Sequence, residues 1–116
     1  MKQVIGIATT TCPNKKTASS IVESLLSDDL IACGQVEGPI ESTYFWNGKL
    51  AVETEWRILM KFSVKGISQL EKELMRLHPY ENPQLTTWEA VTSEEYYEWV
   101  TTQTCKKGRI KPRVSS

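Results

Sequence analysis

The sequence has no surplus of charge of either sign: its 116 residues include 14 basic and 14 acidic side chains. Sequence-independent binding to nucleic acid needs an excess of Lys and Arg that displaces counterions, so we expect no nucleic-acid partner. The sequence also lacks an apolar run of the roughly 18 residues that a membrane-spanning helix requires. We therefore expect no membrane partner.

Cysteine and histidine are scarce. Three cysteines (Cys12, Cys33 and Cys105) stand far apart, and His78 is the only histidine. An odd number of widely spaced cysteines does not suit a disulfide framework, and the N-terminal stretch lacks the cleavage site of a signal peptide. We therefore expect reduced thiols and a cytoplasmic location. Because no CxxC or HxxxH spacing occurs, a metal site would have to be assembled by the fold.

Signatures of catalysis are also missing. The sequence contains no glycine-rich phosphate-binding loop, no recognisable Ser–His–acid arrangement and no matched pair of carboxylates. The single histidine could act as a base, but no feature identifies a substrate for it. We predict that the protein is not an enzyme.

Hydrophobic patterning predicts alternating strands and helices. The predicted elements are a strand over 3–11, a helix capped at Asn14 that ends near Asp28, a strand from Leu30 that bends at Gly38–Pro39 and continues to Trp46, a strand over 50–62, a helix over 67–77, a strand over 84–91 and a last helix that includes Cys105. This βαββαβα order predicts an α+β, ferredoxin-like βαββαβ sandwich with an extra C-terminal helix. We expect one domain over residues 1–107 and a flexible tail over 108–116.

A long β-hairpin is the most distinctive predicted feature. Asn47–Gly48 is a strong hairpin-turn signal, since both residues tolerate a positive φ. Beyond it, apolar and β-branched residues occupy every second position from Leu50 to Phe62. A strand of this length spans roughly 40 Å. One small domain cannot easily cover such a hairpin, so we expect a second copy of the chain to cover it and the protein to be an oligomer.

Several side chains could carry chemistry. Cys12 is predicted at a strand-to-helix turn, where a helix N-terminus would lower its pKa. Cys33 lies in an apolar strand, which favours a small buried hydrophobic residue over a ligand. The segment from His78 to Glu81 has two interpretations. It could bind a metal or a small ligand, or His78 could cap its helix while Tyr80 packs and Glu81 forms an ion pair.

Five segments together resemble the CutA divalent-cation tolerance proteins, over about residues 3–104. The matching segments are Thr9-Thr10-Thr11-Cys12-Pro13, Leu30-Ile31-Ala32-Cys33, Gly38-Pro39-Ile40-Glu41-Ser42, Tyr44-Phe45-Trp46-Asn47-Gly48-Lys49 and His78-Pro79-Tyr80-Glu81-Asn82-Pro83. The resemblance implies a homotrimer in which the long hairpins of neighbouring subunits pair, similar to the PII signalling proteins. Phe62 departs from the family, which often has Thr there, and we expect it to alter the polarity where the second helix begins.

The resemblance also implies a function. The family is associated with tolerance of copper and other divalent ions, and no catalysed reaction is established for it. Carried over to this chain, the candidate metal ligands are Cys12, Cys33, His78 and Glu81. The leading hypothesis is a trimer that binds copper or another divalent cation, which it does not need for folding, and contributes to metal homeostasis. The alternatives are a PII-like trimer that binds a small molecule and a scaffold trimer without a ligand of its own.

Overall fold

The computed structural model describes residues 2–105. Its elements are β1 (Gln3–Cys12), α1 (Lys15–Ser27), β2 (Cys33–Trp46), β3 (Lys49–Phe62), α2 (Ile67–Leu77), β4 (Thr86–Thr92) and α3 (Glu94–Gln103). The predicted order of strands and helices is confirmed, but the last helix ends at Gln103 and does not include Cys105 as predicted. The tail that we predict to be flexible, residues 108–116, lies outside the described residues.

The four strands form one antiparallel sheet in the order β2-β3-β1-β4. Helix α1 connects β1 to β2, and β3 lies between these two strands in the sheet. Helix α2 connects β3 to β4, and β1 lies between those two strands. None of the helices within residues 2–105 has the length and apolar character needed to cross a membrane.

One face of the sheet is covered by α1 and α2. Side chains alternate between the two faces of a strand, so even-numbered residues of β1 and β3 point towards these helices. The buried residues of this layer are Ala8, Cys12, Ala18, Ile21, Val22, Leu25, Ile31, Ile58, Met60, Phe62, Leu70 and Leu74. A fully buried leucine such as Leu25 or Leu70 contributes roughly 1.5–3 kcal/mol by leaving water.

The opposite face of the sheet has a smaller buried cluster, to which α3 contributes. Its buried residues are Ile5, Ile7, Ala32 and Val100, and aromatic side chains of α3 pack around them. Helix α3 begins at an N-cap serine, Ser93, whose hydroxyl accepts a hydrogen bond from the Tyr96 amide at 3.2 Å. This second cluster leaves the far end of the hairpin uncovered.

The β2–β3 hairpin extends well past the rest of the sheet. Each strand has fourteen residues, and Asn47 and Gly48 have φ values of 52° and 75°, which confirms the predicted turn. The bend predicted at Gly38–Pro39 is also confirmed, as a shift in strand register between Glu37 and Ile40. Because β1 ends at Cys12, opposite Trp56, β3 from Lys49 to Glu55 has only β2 as a neighbour.

The apolar stripe of β3 is buried at one end only. Ile58, Met60 and Phe62 are at most 2% exposed, whereas Leu50 is 63% exposed and Val52 57%. Phe45, which pairs with Leu50 across the hairpin, is 74% exposed. We call Phe45, Leu50 and Val52 the hairpin patch. It continues the buried stripe on the same face, beyond the reach of α1 and α2.

Candidate functional site

The fold brings two of the predicted ligands together where β1 and α2 end. Cys12 is the last residue of β1 and His78 is the C-cap of α2. Their side chains are buried, and Cys12 Sγ lies 3.8 Å from His78 Nε2 although the residues are 66 positions apart. A thiol and an imidazole are thus adjacent at the base of the hairpin.

Both ring nitrogens of His78 make hydrogen bonds. Nε2 lies 2.8 Å from the carbonyl oxygen of Thr11, and Nδ1 lies 3.1 Å from the backbone nitrogen of Tyr80. A carbonyl can only accept and a backbone N–H can only donate. The neutral imidazole therefore carries its proton on Nε2, donates it to Thr11 and accepts from Tyr80 through Nδ1. Burial lowers the pKa of His78, despite the opposing effects of the Thr11 carbonyl and Glu55.

Tyr80 links His78 to the hairpin. Its ring centroid lies 4.9 Å from that of His78, and its hydroxyl donates to Glu55 Oε2 at 2.8 Å. Glu55 is only 8% exposed, and it is the first residue of β3 beyond the end of β1. Burial also raises the pKa of the Tyr80 phenol, and the neighbouring Glu55 adds to this.

The Glu55 carboxylate remains ionised although it is buried. Burial by itself would raise its pKa, but hydrogen bonds from Ser42, Tyr80 and Thr11 outweigh this effect, and the pKa is lowered. Sequence reasoning did not identify Glu55 as part of the site. Its position in the polar register of β3 gives no signal that it is buried, and its hydrogen-bond partner Tyr80 lies 25 positions away in the sequence.

The predicted effect of the helix N-terminus on Cys12 is wrong. Burial, followed by the nearby Glu55 charge, raises the pKa of the Cys12 thiol from 9.0 to about 11. The side chain is fully buried in the layer beneath α1, and Asn14 rather than Cys12 caps the helix, accepting from the Thr17 amide at 2.8 Å. The thiol is consequently protonated and unreactive near neutral pH.

The other two predicted ligands, Cys33 and Glu81, do not form a group of three ligands with the Cys12–His78 pair within residues 2–105. Cys33 pairs with Lys61 of β3, whereas Cys12 pairs with Trp56. Five residues along β3 correspond to roughly 17 Å, and the odd spacing puts the two cysteines on opposite faces of the sheet. Glu81 is exposed, and Cys33 is only half-buried rather than fully buried as its apolar surroundings predict.

The Cys12–His78 pair fits copper in donor type and in proximity. Thiolate and imidazole both suit copper and zinc. Within residues 2–105, however, no group of three or more His, Cys, Asp or Glu side chains could hold a metal ion. One chain therefore supplies a donor pair. The thiol would have to lose its proton to bind, whereas the neutral imidazole would only have to offer a nitrogen lone pair.

The family model and the curated relatives that match this chain belong to the same family. The family model described as CutA1 divalent ion tolerance protein matches residues 6–103. The divalent-cation tolerance protein CutA of Thermotoga maritima is 35% identical over 91 residues, which cover 78% of this chain and 89% of that protein.

Solved structures agree with this match. CutA from Synechococcus elongatus superposes with a TM-score of 0.86 at 25% identity, covering 90% of this chain and 95% of that one. The divalent ion tolerance protein CutA1 from Ehrlichia chaffeensis gives 0.85 at 27% identity, covering 90% and 98%. The similarity therefore extends over nearly the whole described chain.

Proposed function

The chain belongs to the CutA1 divalent ion tolerance protein family, and from this membership we propose that it contributes to divalent-cation tolerance as a cytoplasmic homotrimer. We infer that it does so without catalysing a reaction, since its relatives are named as tolerance proteins. The proposed location follows from three free cysteines, which suit a reducing compartment.

The hairpin supports the trimer. The strand order β2-β3-β1-β4, with two helical crossovers, suits a ferredoxin-like subunit. In such a subunit the hairpin patch has no helix above it. A neighbouring copy that covered Phe45, Leu50 and Val52 would remove three large, mostly exposed apolar side chains from water. This burial would stabilise the oligomer without any ligand.

We propose that copper is the bound cation and that Cys12 and His78 are its ligands in this chain. The observation that carries this proposal is the 3.8 Å distance between Cys12 Sγ and His78 Nε2. Within residues 2–105, neither Cys33 nor Glu81 forms a group of three ligands with this pair, so a further donor would come from water or from a neighbouring subunit. We propose that folding does not require the metal, and the apolar core in which Cys12 is buried supports this.

Calorimetric titration with Cu²⁺ tests the site. The parent should bind with a defined stoichiometry, and the double variant Cys12→Ala/His78→Ala should lose that binding. Cys105→Ala is the matched control, because it removes an exposed thiol that is not part of the pair. If the double variant binds as much copper as the parent, the assignment of the site is wrong.

A ligand-free scaffold trimer is the second candidate. The observation that favours it is that both nitrogens of His78 are already hydrogen-bonded within the chain. A thermal-shift screen against metals, nucleotides and organic anions separates the candidates, since a ligand at a hundred times its Kd adds about 2.7 kcal/mol. A shift with nucleotides or anions alone would support a PII-like trimer, and no shift at all would support the scaffold.

A further inference from the structure

We propose that a metal ion can bind His78 only if the hydrogen bond between the Tyr80 amide and the His78 ring breaks. Metal binding therefore opposes the contact that Tyr80 makes with Glu55 of the hairpin. The coupling rests on the proposed function and deepens it, because it assigns a conformational consequence to ligation at the same site. It follows from the two hydrogen bonds of a single imidazole ring.

The position of the proton on the His78 ring determines which nitrogen can bind a metal. A metal ligand nitrogen must offer a lone pair, and a neutral imidazole has only one. Here that lone pair, on Nδ1, accepts from the Tyr80 amide. If Nδ1 became the ligand, the Tyr80 hydrogen bond would be lost directly. If Nε2 became the ligand, the ring proton would move to Nδ1 and two N–H groups would face each other. Either choice removes the Tyr80 hydrogen bond.

Tyr80 connects His78 to Glu55 through two hydrogen bonds. Its amide is bound to His78 and its hydroxyl to Glu55, so one residue joins the end of α2 to the base of the hairpin. Displacing the Tyr80 backbone moves the ring that carries this hydroxyl. Glu55, which is 8% exposed with Tyr80 in place, then loses one of its hydrogen-bond donors, and this loss is costly for a carboxylate that is shielded from water. Metal ligation at His78 therefore removes a hydrogen bond from Glu55 of β3.

Thermodynamic linkage makes the coupling measurable from either side. If metal binding has to break the contact between Tyr80 and Glu55, a chain that lacks this contact should bind the metal more tightly. Tyr80→Phe removes the hydroxyl and keeps the backbone amide. Tyr44→Phe is the matched control, because it also removes a tyrosine hydroxyl that donates to a glutamate of β3, Glu53, rather than to Glu55.

Calorimetry with Zn²⁺ provides the first measurement, because Zn²⁺ shares the preference for thiolate and imidazole and does not oxidise Cys12. Tyr80→Phe should bind Zn²⁺ about tenfold to a hundredfold more tightly than the parent, in line with the loss of one hydrogen bond to a charged group. Tyr44→Phe should bind with the affinity of the parent. Equal affinities for the parent and Tyr80→Phe would overturn the coupling.

Nuclear magnetic resonance provides the second measurement, and the presence of a single histidine makes its imidazole signals unambiguous. In the metal-free protein the ¹⁵N shifts should show the Nε2–H tautomer. Saturation with Zn²⁺ should shift the Tyr80 amide and speed its hydrogen exchange. Binding that depends on His78 but leaves this amide unchanged overturns the coupling alone. If the parent does not bind Zn²⁺, or His78→Ala binds equally well, the proposed metal site fails as well.

Discussion

The ring of Phe62 lies directly over Gly6. The two residues are paired across β1 and β3, and a Cβ added to Gly6 would lie 2.4 Å from Cζ of the ring. Phe62 is 2% exposed, so its ring has little room to move. Phe62 fills the space that the missing side chain of Gly6 leaves.

We expect Gly6→Ala to lower the free energy of unfolding by about 1–3 kcal/mol, the usual cost of overpacking a core. Urea denaturation at neutral pH measures the difference. Gly66→Ala is the control, because no atom lies within 4 Å of the added Cβ and φ is not positive there. Adding Phe62→Leu to Gly6→Ala should recover part of the loss. Equal stabilities for the two alanine variants would contradict the packing described.

Local patterns sufficed for most of the fold. The turn at Asn47–Gly48 and the cap at Asn14 depend on backbone preferences within a few residues, and both predictions are confirmed. Helix α2 ends at Leu77, as the following His78–Pro79 predicted. In each case the determining interaction lies within one element or one turn.

The candidate site could be predicted only in part, because it depends on contacts between distant segments. The resemblance named Cys12 and His78, which the fold does bring together. The burial of Cys12 beneath α1 reverses the expected direction of its pKa shift, and no local signal reveals this. The role of Glu55 is set by Tyr80, 25 residues away. Strand register separates Cys33 from the pair.

Charges on the hairpin should separate assembly from folding. We expect Val52→Glu to dissociate the oligomer, because it puts a charge in the hairpin patch, and to change the stability of the subunit little. Sedimentation or sizing, with circular dichroism, measures both effects. Gln69→Glu, at an exposed position on α2, is the control. A Val52→Glu protein of unchanged size would contradict the proposed interface.

A charge at Trp56 should act differently. Its ring packs over Gly38, where an added Cβ would come within 2.6 Å of it, and Lys15 Nζ lies 5.7 Å from the ring centroid. Trp56→Glu should therefore lower the stability of the subunit by roughly 3–5 kcal/mol, the cost of losing a large packed aromatic side chain. Thermal melting measures it. An unchanged melting temperature would show that this packing contributes little.

Mild acid should weaken the fold through His78. Burial lowers the pKa of its imidazole below 6.5, so the unfolded chain takes up a proton at a higher pH than the folded chain. Stability is therefore complete above about pH 7 and falls as the pH drops through 6.5 towards the lower folded value. Urea midpoints at pH 7.5 and 5.5 measure the loss, which should be smaller in His78→Asn. An equal loss in both proteins would contradict the assignment to His78.

Mild alkali should weaken the fold through Cys12, with the opposite sign. The thiol has a pKa of about 11 in the folded chain against an ordinary 9.0, so the unfolded chain loses the proton first as the pH rises. Stability is complete below pH 9 and falls by about 2–3 kcal/mol as the pH approaches 11. Cys12→Ala lowers stability at every pH by leaving a small cavity, so the slope between pH 8 and 10.5 is the informative quantity. We expect a shallower slope for Cys12→Ala and the parental slope for Cys105→Ser, whose thiol is exposed. Identical slopes in all three proteins would mean that the Cys12 thiol titrates as freely in the folded chain as in the unfolded one.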